Sequence, residues 1–456
     1  MRDQQFYAHS HKDPARWQTL AEHLRHVANL ARDRAERACP GVPEFADAAE
    51  LAGLLHDLGK YRTEFQQYLR SGGPRGAVST RHKQAGAAQA YAPGNRVDLA
   101  FAIAGHHGGL PGLQGLKELI EGDGGRLLAQ ALWPQAVLDC PSLTVASGPL
   151  SRPPWLTDTN RLAAELQIRL LFSCLVDADW MDTASAMADD ASPDAAAPDL
   201  HPSQRLDAVL AYIRQRAEQC RQPEIRAIRQ EVLQAALAKA DSHAAPAVFS
   251  MAVPTGGGKT LTALAFALAH AARYGLRRII YVAPYLSILD QNARVLREAL
   301  QADQAPGLVL EHHSLAEPPG VEEGQEDAGV SLTGRLAENW DVPVVLTTSV
   351  QFFQSLFAAQ PSRCRKLHNI ARSVVILDEC QTLPPGLIAP TCQMLESFSQ
   401  MAGCSIVLCT ATQPAWGQSA DLPTGLTSIH EIAPPELDLY QRLRRVRIDW
   451  PAKGHR

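Results

Sequence analysis

One stretch of the sequence, Val253-Pro-Thr-Gly-Gly-Gly-Lys-Thr260, limits the possible folds of this chain more than any other. It lies between an apolar run, residues 247–252, and a helix-like stretch, residues 261–273. In that context the main-chain N–H groups of a glycine-rich turn bind a polyphosphate, while the lysine contacts the outer phosphates and the threonine ligates Mg²⁺. Val253 stands where the strict pattern has glycine, but strand, turn and helix follow in the required order. The sequence therefore predicts a nucleotide-binding loop made by Thr255, Gly256, Gly257, Gly258, Lys259 and Thr260.

Length and composition place the chain among ordinary globular proteins, with 456 residues, 46% apolar and 20% charged, enough for two or three domains. A net charge of −5 excludes a protein that coats nucleic acid through bulk positive charge, but it leaves room for a local basic groove. The nine cysteines include no Cys-x-x-Cys pair, which fits a reducing cytoplasm. Because the sequence shows neither a signal core nor a long apolar run, we predict a cytoplasmic protein without a membrane partner.

The first 180 residues show helical periodicity, and two groups of polar residues stand out against it. In the first apolar helix, His23 falls at the edge of the apolar face, whereas His26 points away from it. In the next apolar stripe, residues 51–58, the adjacent His56 and Asp57 lie off the stripe. They are therefore free to face a shared polar cavity.

Further side chains of the same types follow along the chain, namely His82, the doublet His106-His107 and Asp179, with Asp177 as an alternative to Asp179. Imidazole nitrogens and carboxylate oxygens together suit divalent first-row metals, and an adjacent His-Asp supplies ligands to a metal pair. With 16 histidines in the chain, an unrelated surface position explains any single one of them. Unrelated surface positions explain the whole ordered set poorly.

This ordered set resembles the HD superfamily of metal-dependent phosphohydrolases. Residues 54–60, 106–108 and 178–182 are similar to the HD nuclease domain of the CRISPR type I effector helicase-nuclease. The resemblance favours Asp179 over Asp177, because the family places its ligand directly before a tryptophan, here Trp180.

The resemblance also implies roles for individual residues. It makes His56, Asp57 and Lys60 catalytic, with the charge of Lys60 directed at phosphate rather than at metal. It implies a site for two divalent ions, of Mn, Co, Ni, Fe or Mg. The implied ligands are His23, His56, Asp57, His82, His106, His107 and Asp179.

The second half of the chain has a different pattern. Residues 184–203 are small, acidic and punctuated by proline, as is typical of a linker. From residue 247, short β-branched runs alternate with helices, which predicts a parallel sheet with ligand loops at the carboxyl ends of its strands. The predicted fold is multidomain, with an all-α domain over residues 1–200 and an α/β P-loop domain over residues 204–456.

Two loops that follow such runs carry chemically useful side chains. After residues 374–377 come Asp378, suited to hold Mg²⁺, and Glu379, suited to orient and deprotonate the attacking water. After the last run come Thr410 and Thr412, whose hydroxyls are placed to sense the nucleotide and couple it to strand binding. Paired acidic residues are commonplace at helix starts, so they gain meaning only together with Lys259.

The nucleotide loop, Asp378-Glu-Cys-Gln381 and Thr410-Ala-Thr412 resemble three motifs of the superfamily 2 helicases. That resemblance implies a RecA-like domain that binds ATP with Mg²⁺ through residues 255–260, Asp378 and Glu379, the last also catalytic. Residues 364–371 and 377–384 are similar to the type I-C branch of the CRISPR helicase-nuclease. Members of that family continue into a second RecA-like domain and a C-terminal region. We expect weak ATPase activity from this chain unless a separate polypeptide supplies that half.

The combined resemblance implies an antiviral effector that a CRISPR RNA-guided, Cascade-type surveillance complex recruits to its target. It implies 3′ to 5′ translocation along DNA driven by ATP hydrolysis, and metal-dependent cutting of the displaced single strand. Two other functions remain open. One is an HD phosphohydrolase that acts on nucleotides under control of ATP, and the other is a docking fragment without catalytic activity.

Overall fold

The computed structural model describes residues 5–71, 82–91, 96–122, 124–147, 151–157, 161–187, 198–313, 339–411 and 416–444. These residues form two compact units. The first comprises those within 1–196, 317–341 and 351–371, and the second those within 197–316, 342–350 and 372–456. Each unit is therefore built from more than one stretch of the chain.

The first unit begins with a short antiparallel pair, β1 (Tyr7–His9) and β2 (Gln18–Thr19), and continues with helices. In chain order these are α1 (Leu20–Ala38), α2 (Pro43–Leu55), α3 (Thr63–Ser71), α4 (Lys83–Tyr91), α5 (Val97–Gly105), α6 (Leu113–Lys117), α7 (Gly125–Asp139) and α8 (Arg161–Met187). The described part of residues 1–180 is thus mainly helical, as its periodicity predicts.

The first two helices pack together closely because small residues meet where they cross. Thr19 caps α1 by accepting a hydrogen bond from the main-chain N–H of Glu22, and the Glu22 side chain accepts one from Thr19 in return. Gly53 of α2 lies against Ala28 of α1, and a Cβ built on this glycine would come within 2.5 Å of the Ala28 Cα. The crossing sets the distance between the two ligand-bearing helices.

The second unit consists of helices on a parallel sheet. Its helices and strands as far as β6 are α9 (Pro202–Glu218), α10 (Pro223–Ser242), β3 (Val248–Ala252), α11 (Lys259–Tyr274), β4 (Arg278–Ala283), α12 (Leu286–Leu300), β5 (Val309–His312) and β6 (Val344–Thr348). Between β6 and the next strand, the chain forms the short helices α13 (Ser349–Phe357), α14 (Pro361–Cys364) and α15 (Leu367–Ile370). It continues with β7 (Ser373–Leu377), α16 (Pro385–Ala402), β8 (Ser405–Thr410), β9 (His430–Glu431) and α17 (Leu439–Arg442).

The seven strands of the second unit lie in the order β5-β6-β4-β7-β8-β3-β9, and every described pair is parallel. The central strands are buried along their whole length, which explains why they read as continuous apolar runs rather than as alternating ones. Parallel strands bring their carboxyl ends to one edge, where ligand loops collect. The predicted fold class, helical domain followed by an α/β domain with a parallel sheet, is confirmed.

The predicted linker, residues 184–203, overlaps two helix ends. Residues 184–187 form the last turn of α8, and α9 starts at Pro202. The intervening residues 188–197 lie outside the described part of the chain. Among the described residues, no helix is long and apolar enough to cross a membrane.

Candidate metal centre and nucleotide-binding loop

The candidate metal ligands of the first unit lie on or directly after its helices. His23 lies within α1, His56 and His106 follow the last residues of α2 and α5, and Asp179 lies within α8. All four side chains are buried. Since buried polar groups need partners, their convergence at one point requires that they bind one another or a common ion.

The structure brings all seven candidate ligands together in two groups. One group contains His23, His56 and Asp179, and the other contains Asp57, His82, His106 and His107. Within each group, one nitrogen or oxygen atom from every residue lies within 4.8 Å of all the others. Each group thus offers three or four ligand atoms of the types that bind divalent first-row metals.

Asp57 connects the two groups through its two carboxylate oxygens. Its Oδ1 lies 3.2 Å from Nε2 of His82 and 3.6 Å from Nε2 of His106. Its Oδ2 lies 3.2 Å from Nε2 of both His23 and His56. One carboxylate therefore faces both groups, as a ligand shared between two ions must.

Three of the histidines are held so that Nε2 points into the cluster. Nδ1 of His56 lies 2.7 Å from the carbonyl oxygen of Gly53, and Nδ1 of His106 lies 2.6 Å from that of Ile103. Nδ1 of His23 lies 2.7 Å from Oδ2 of Asp182. In each pair only the nitrogen can donate, so the neutral form of each imidazole presents its Nε2 lone pair to a metal.

Buried polar atoms without a hydrogen-bond partner indicate whether this set of donor atoms fits a metal. Asp57 Oδ1 and His106 Nε2 are both buried and have no hydrogen-bond partner among the residues that the structure describes. Burial would lower the pKa of His56, but the carboxylates of Asp57 and Asp179 raise it to about 10. The buried cluster thus favours added positive charge and contains acceptor atoms that a cation would satisfy. The residues present fit a divalent metal centre.

Lys60 lies against one of these candidate ligands, whereas Asp177 lies away from all of them. The Nζ of Lys60 lies 2.7 Å from Asp57 Oδ2, so its ammonium group neutralises that carboxylate. Asp177 instead pairs with Arg34 and Arg365, away from the two ligand groups. Burial would raise the pKa of Asp177, but these two guanidinium groups hold it below its usual range.

The sequence reasoning missed Asp182, which lies three residues after Asp179 on the same face of α8. Its Oδ2 accepts hydrogen bonds from His23 and from the Gln18 side chain, and its Oδ1 lies 3.2 Å from Nδ1 of His26. The helical spacing from Asp179 was the available signal. The exposed His26 contacts this carboxylate rather than the ligand groups.

The predicted nucleotide-binding loop lies where β3 turns into α11. Gly256 and Gly258 adopt left-handed backbone angles, with φ of 96° and 85°, which glycine accepts without strain. A Cβ on Gly257 would come within 2.5 Å of the Val253 side chain, so this position also requires glycine. Helix α11 starts at Lys259, directly after the loop, and its N-terminal N–H groups suit an anion.

The two acidic residues after β7 lie beside this loop. The Nζ of Lys259 forms a short ion pair with Glu379 and lies 3.1 Å from Asp378 Oδ1. Burial would raise the pKa of Glu379, but hydrogen bonds from Lys259 and Gln381 lower it, so its carboxylate stays ionised. The hydroxyl of Tyr281 on β4 donates a short hydrogen bond to Asp378. The candidate phosphate and Mg²⁺ ligands are thus collected at one edge of the sheet.

Arg229 is a further residue at this loop that the sequence reasoning did not single out. Its Nε donates to the carbonyl oxygen of Gly256 at 2.9 Å. Its position in a run of arginines on α10 gave no signal that separated it from a solvated helix face.

Thr410 is fully buried at the end of β8, and its carbonyl oxygen accepts from the N–H of Val253. Thr412 lies outside the described residues.

A third group of metal-ligand types lies in the second unit, formed by Asp290, Glu311 and His313. Glu311 already pairs with Arg297 at 2.5 Å, and Asp290 is exposed. The group therefore lacks the burial and the shared carboxylate that distinguish the cluster around Asp57.

Two family descriptions match separate parts of the chain. HD domain matches residues 20–137, which include six of the seven candidate metal ligands, all except Asp179. DEAD/DEAH box helicase matches residues 226–419, which include the nucleotide-binding loop, Asp378 and Glu379. HD domains are metal-dependent, and helicases use ATP with Mg²⁺.

The name of one curated relative combines a nuclease with a helicase. The CRISPR-associated nuclease/helicase Cas3 of Haloferax volcanii is 31% identical to this chain over 182 residues, which are 37% of this chain and 19% of the relative. The chain is therefore similar to Cas3 over part of its length. It carries an HD domain match followed by a DEAD/DEAH box helicase match.

Solved structures share the fold of this chain. The crystal structure of T. fusca Cas3 matches 90% of this chain and 50% of its own length, with a TM-score of 0.57 and 18% identity. A chain in the structure entitled "CRISPR RNA-guided surveillance complex, pre-nicking" matches 90% and 48%, with a TM-score of 0.50 and 16% identity. At such identities the likeness concerns the fold alone. The chain spans about half the length of these solved chains.

Proposed function

We propose that this chain is a CRISPR interference effector that cuts DNA, combining a metal-dependent single-stranded DNA endonuclease with an ATP-driven helicase. The observation that carries the proposal is the carboxylate of Asp57, whose two oxygens face two separate groups of imidazoles at 3.2 to 3.6 Å. A shared carboxylate between two ligand groups suits two-metal phosphodiester hydrolysis.

The protein's own residues hold and orient this centre. Divalent ions bound there would supply Lewis-acid polarisation of the scissile phosphate and lower the pKa of water. His23, His56 and His106 present Nε2 lone pairs, because Nδ1 of each is hydrogen-bonded elsewhere. Lys60 adds a fixed positive charge beside Asp57, suited to a phosphate oxygen of the substrate.

The second unit would drive the strand past that centre. Residues 255–260 would hold the phosphates of ATP, Asp378 would hold Mg²⁺, and Glu379 would activate the attacking water as an ionised base. Translocation in the 3′ to 5′ direction, single-stranded DNA as the substrate and recruitment by an RNA-guided surveillance complex are proposed from the Cas3 likeness, including the pre-nicking complex.

The nuclease proposal is tested with circular single-stranded DNA, Mn²⁺, Co²⁺ or Ni²⁺, and no ATP. Circular DNA makes the assay insensitive to exonucleases that trim ends. We expect nicking by the wild-type chain and none by Asp57→Ala or His56→Ala. Lys259→Ala is the matched control, because it removes a charge from the other site and should leave ATP-independent nicking unchanged.

The outcomes separate the proposed function from its rivals. Absence of nicking by folded wild-type protein that binds metal would refute the nuclease. Release of product from nucleotides, with no effect of DNA, would instead indicate an HD phosphohydrolase. Metal and DNA binding without turnover of either substrate would indicate a docking protein.

A further inference from the structure

The chain between β6 and β7 makes an excursion whose purpose neither site explains. It leaves the sheet of the second unit after Thr348 and returns to it at Ser373. Residues 351–371 of this excursion nevertheless belong to the first unit. They include the stretch Cys364-Arg-Lys-Leu-His-Asn-Ile-Ala371, which contributes no ligand to the metal centre and none to the nucleotide-binding loop.

The excursion contacts α8 through a buried carboxylate. Asp177 is 1% exposed, and its Oδ1 lies 2.7 Å from Nε of Arg365, which is 3% exposed. Its Oδ2 lies 2.5 Å from Nε of Arg34 on α1 and 3.6 Å from Nε2 of His368. Removing one partner from a buried ion pair leaves an uncompensated charge, so these partners hold α8 firmly.

Two further contacts fix the excursion on the same helix. His368 exchanges hydrogen bonds with Ser173, whose Oγ lies 2.9 Å from the imidazole Nδ1 and 3.1 Å from the His368 main-chain nitrogen. The guanidinium of Arg365 lies over the ring of Trp180, 4.8 Å from its centroid. Asp177 and Trp180 flank Asp179 in the sequence, so Arg365 contacts the helix on both sides of a candidate metal ligand.

The excursion also contacts the loop that carries the other ligand group. The carbonyl oxygen of Ala359 accepts a hydrogen bond from the N–H of Leu110 at 2.8 Å. It lies so close to Gly109 that a Cβ there would come within 2.9 Å of it. Gly109 and Leu110 lie two and three residues after His107. One segment therefore touches the supports of both metal-ligand groups.

We propose that residues 351–371 form a clamp on the metal centre and that Arg365 is its principal positioning residue. Arg365 acts through Asp177 and Trp180 to fix the orientation of Asp179, while Ala359 fixes the loop after His107. The inference rests on the proposed nuclease only in assuming that the cluster around Asp57 binds divalent metal. Because the clamp is part of the connection between two strands of the nucleotide-binding unit, it gives the nuclease site a covalent link to that unit.

The test measures Mn²⁺ binding to the full chain by calorimetry and by the electron paramagnetic resonance signal of free Mn²⁺. Arg365→Met removes the charge and the ring contact. We expect the Kd for Mn²⁺ to rise by up to about tenfold, the lower end of the range for loss of a direct partner of a metal ligand, because Arg365 acts through Asp177 and Trp180. Arg363→Met is the matched control, because Arg363 is an exposed arginine in the same segment and should keep wild-type affinity.

The dependence of nicking on Mn²⁺ concentration distinguishes positioning from general support of the fold. In the variant, nicking should recover as Mn²⁺ is raised, whereas a partly unfolded protein would lose activity at every concentration. Wild-type Mn²⁺ affinity in folded Arg365→Met would overturn the clamp. If Arg365→Met fails to fold, Arg365→Lys replaces it in the same measurement. Lysine keeps the charge but loses the planar guanidinium over Trp180. Wild-type Mn²⁺ affinity in this variant would again overturn the clamp.

Failure of the clamp and failure of the nuclease give different results. A wild-type chain that binds Mn²⁺ without cutting DNA, with weaker binding in the Arg365 variant, refutes the nuclease and supports the clamp. A wild-type chain that cuts DNA, with equal Mn²⁺ affinity in wild type and variant, supports the nuclease and refutes the clamp.

Discussion

At the candidate metal centre, a single side chain can determine which nitrogen of a histidine is available to a metal. Asp182 does so for His23. This carboxylate accepts from Nδ1 of His23 at 2.7 Å and is itself held by Gln18 at the same distance. A carboxylate behind a histidine fixes the tautomer, orients the ring and raises the basicity of the other nitrogen. Asp182 should therefore influence metal affinity without touching the metal.

Asp182→Asn tests that role. The amide keeps the size of the side chain but can present NH₂ to Nδ1, which would leave Nε2 of His23 protonated and unable to ligate. We expect Mn²⁺ affinity to fall by about tenfold or more, measured by calorimetry at constant pH. The exposed Asp13→Asn substitution serves as a control, and equal affinities in the Asp182 variant and the wild type would contradict the assignment.

His270 supplies a pH-dependent contribution to the stability of the second unit. It is buried on α11 and lies 2.8 Å from the Ser405 hydroxyl. Burial, with a smaller contribution from His243, lowers its pKa to about 4 against the opposing effect of the Ala240 carbonyl. The folded state thus prefers the neutral imidazole. Its contribution is complete above the unfolded pKa of about 6.5 and is lost as pH falls towards 4.

His270→Gln should remove that pH dependence while it keeps a hydrogen-bonding side chain. Between pH 7 and pH 5 we expect the thermal unfolding transition of the wild type to fall more than that of the variant. The measurement is calorimetry of both proteins at each pH. A variant whose transition falls as steeply as that of the wild type would show that other groups control acid stability.

At the scale of elements, helix crossings decide whether the ligands meet. Helices α1 and α2 carry His23 and His56, and they approach closely only because Gly53 faces Ala28. Similar constraints act at Gly59, where a Cβ would lie 2.0 Å from the carbonyl oxygen of His82. The sequence signals the apolar faces of these helices, but the distance between their axes depends on which small residues meet.

Gly53→Ala should therefore destabilise the first unit, although alanine is the better helix former. A Cβ 2.5 Å from the Ala28 Cα must push main chain against main chain. We expect a loss of about 1–3 kcal/mol in the free energy of unfolding, as in other overpacked cores. Gly115→Ala on α6, with its nearest atom 3.6 Å away, is the control and should be neutral or gain up to about 1 kcal/mol. Urea denaturation of both variants decides, and equal effects would contradict the packing argument.

At the scale of the whole molecule, the chain is divided into units that do not follow its sequence order. The first unit takes residues 351–371 from between two strands of the second. A fragment that ends at residue 200 therefore lacks Arg365 and His368, and of the charged partners that the structure describes for Asp177 it keeps Arg34 alone. Such a fragment leaves a buried carboxylate short of compensation.

We expect the fragment 1–200 to bind Mn²⁺ more weakly than the full chain, and a synthetic peptide of residues 351–371 to restore part of that affinity. Calorimetric titration of the fragment with and without the peptide is the measurement. The same peptide with Arg365→Met is the control and should restore less. Full-chain affinity in the fragment alone would show that the excursion is not needed.

The sequence by itself determined the two kinds of domain, their order and the side chains that could bind metal or nucleotide. These follow from local information, because helical and strand periodicities and the glycine-rich loop each occupy a short stretch. It also limited the choice between Asp177 and Asp179. Two residues apart on a helix turn by about 200°, so only one of them could face the ligands.

The tertiary structure decided which of the two does. It turned Asp179 towards His23 and His56 and gave Asp177 to Arg34 and Arg365. It also revealed the shared carboxylate of Asp57, the support of His23 by Asp182 and the packing of residues 351–371 with α8. All of these depend on contacts between residues far apart in the chain, and no local pattern encodes the relative positions of such residues.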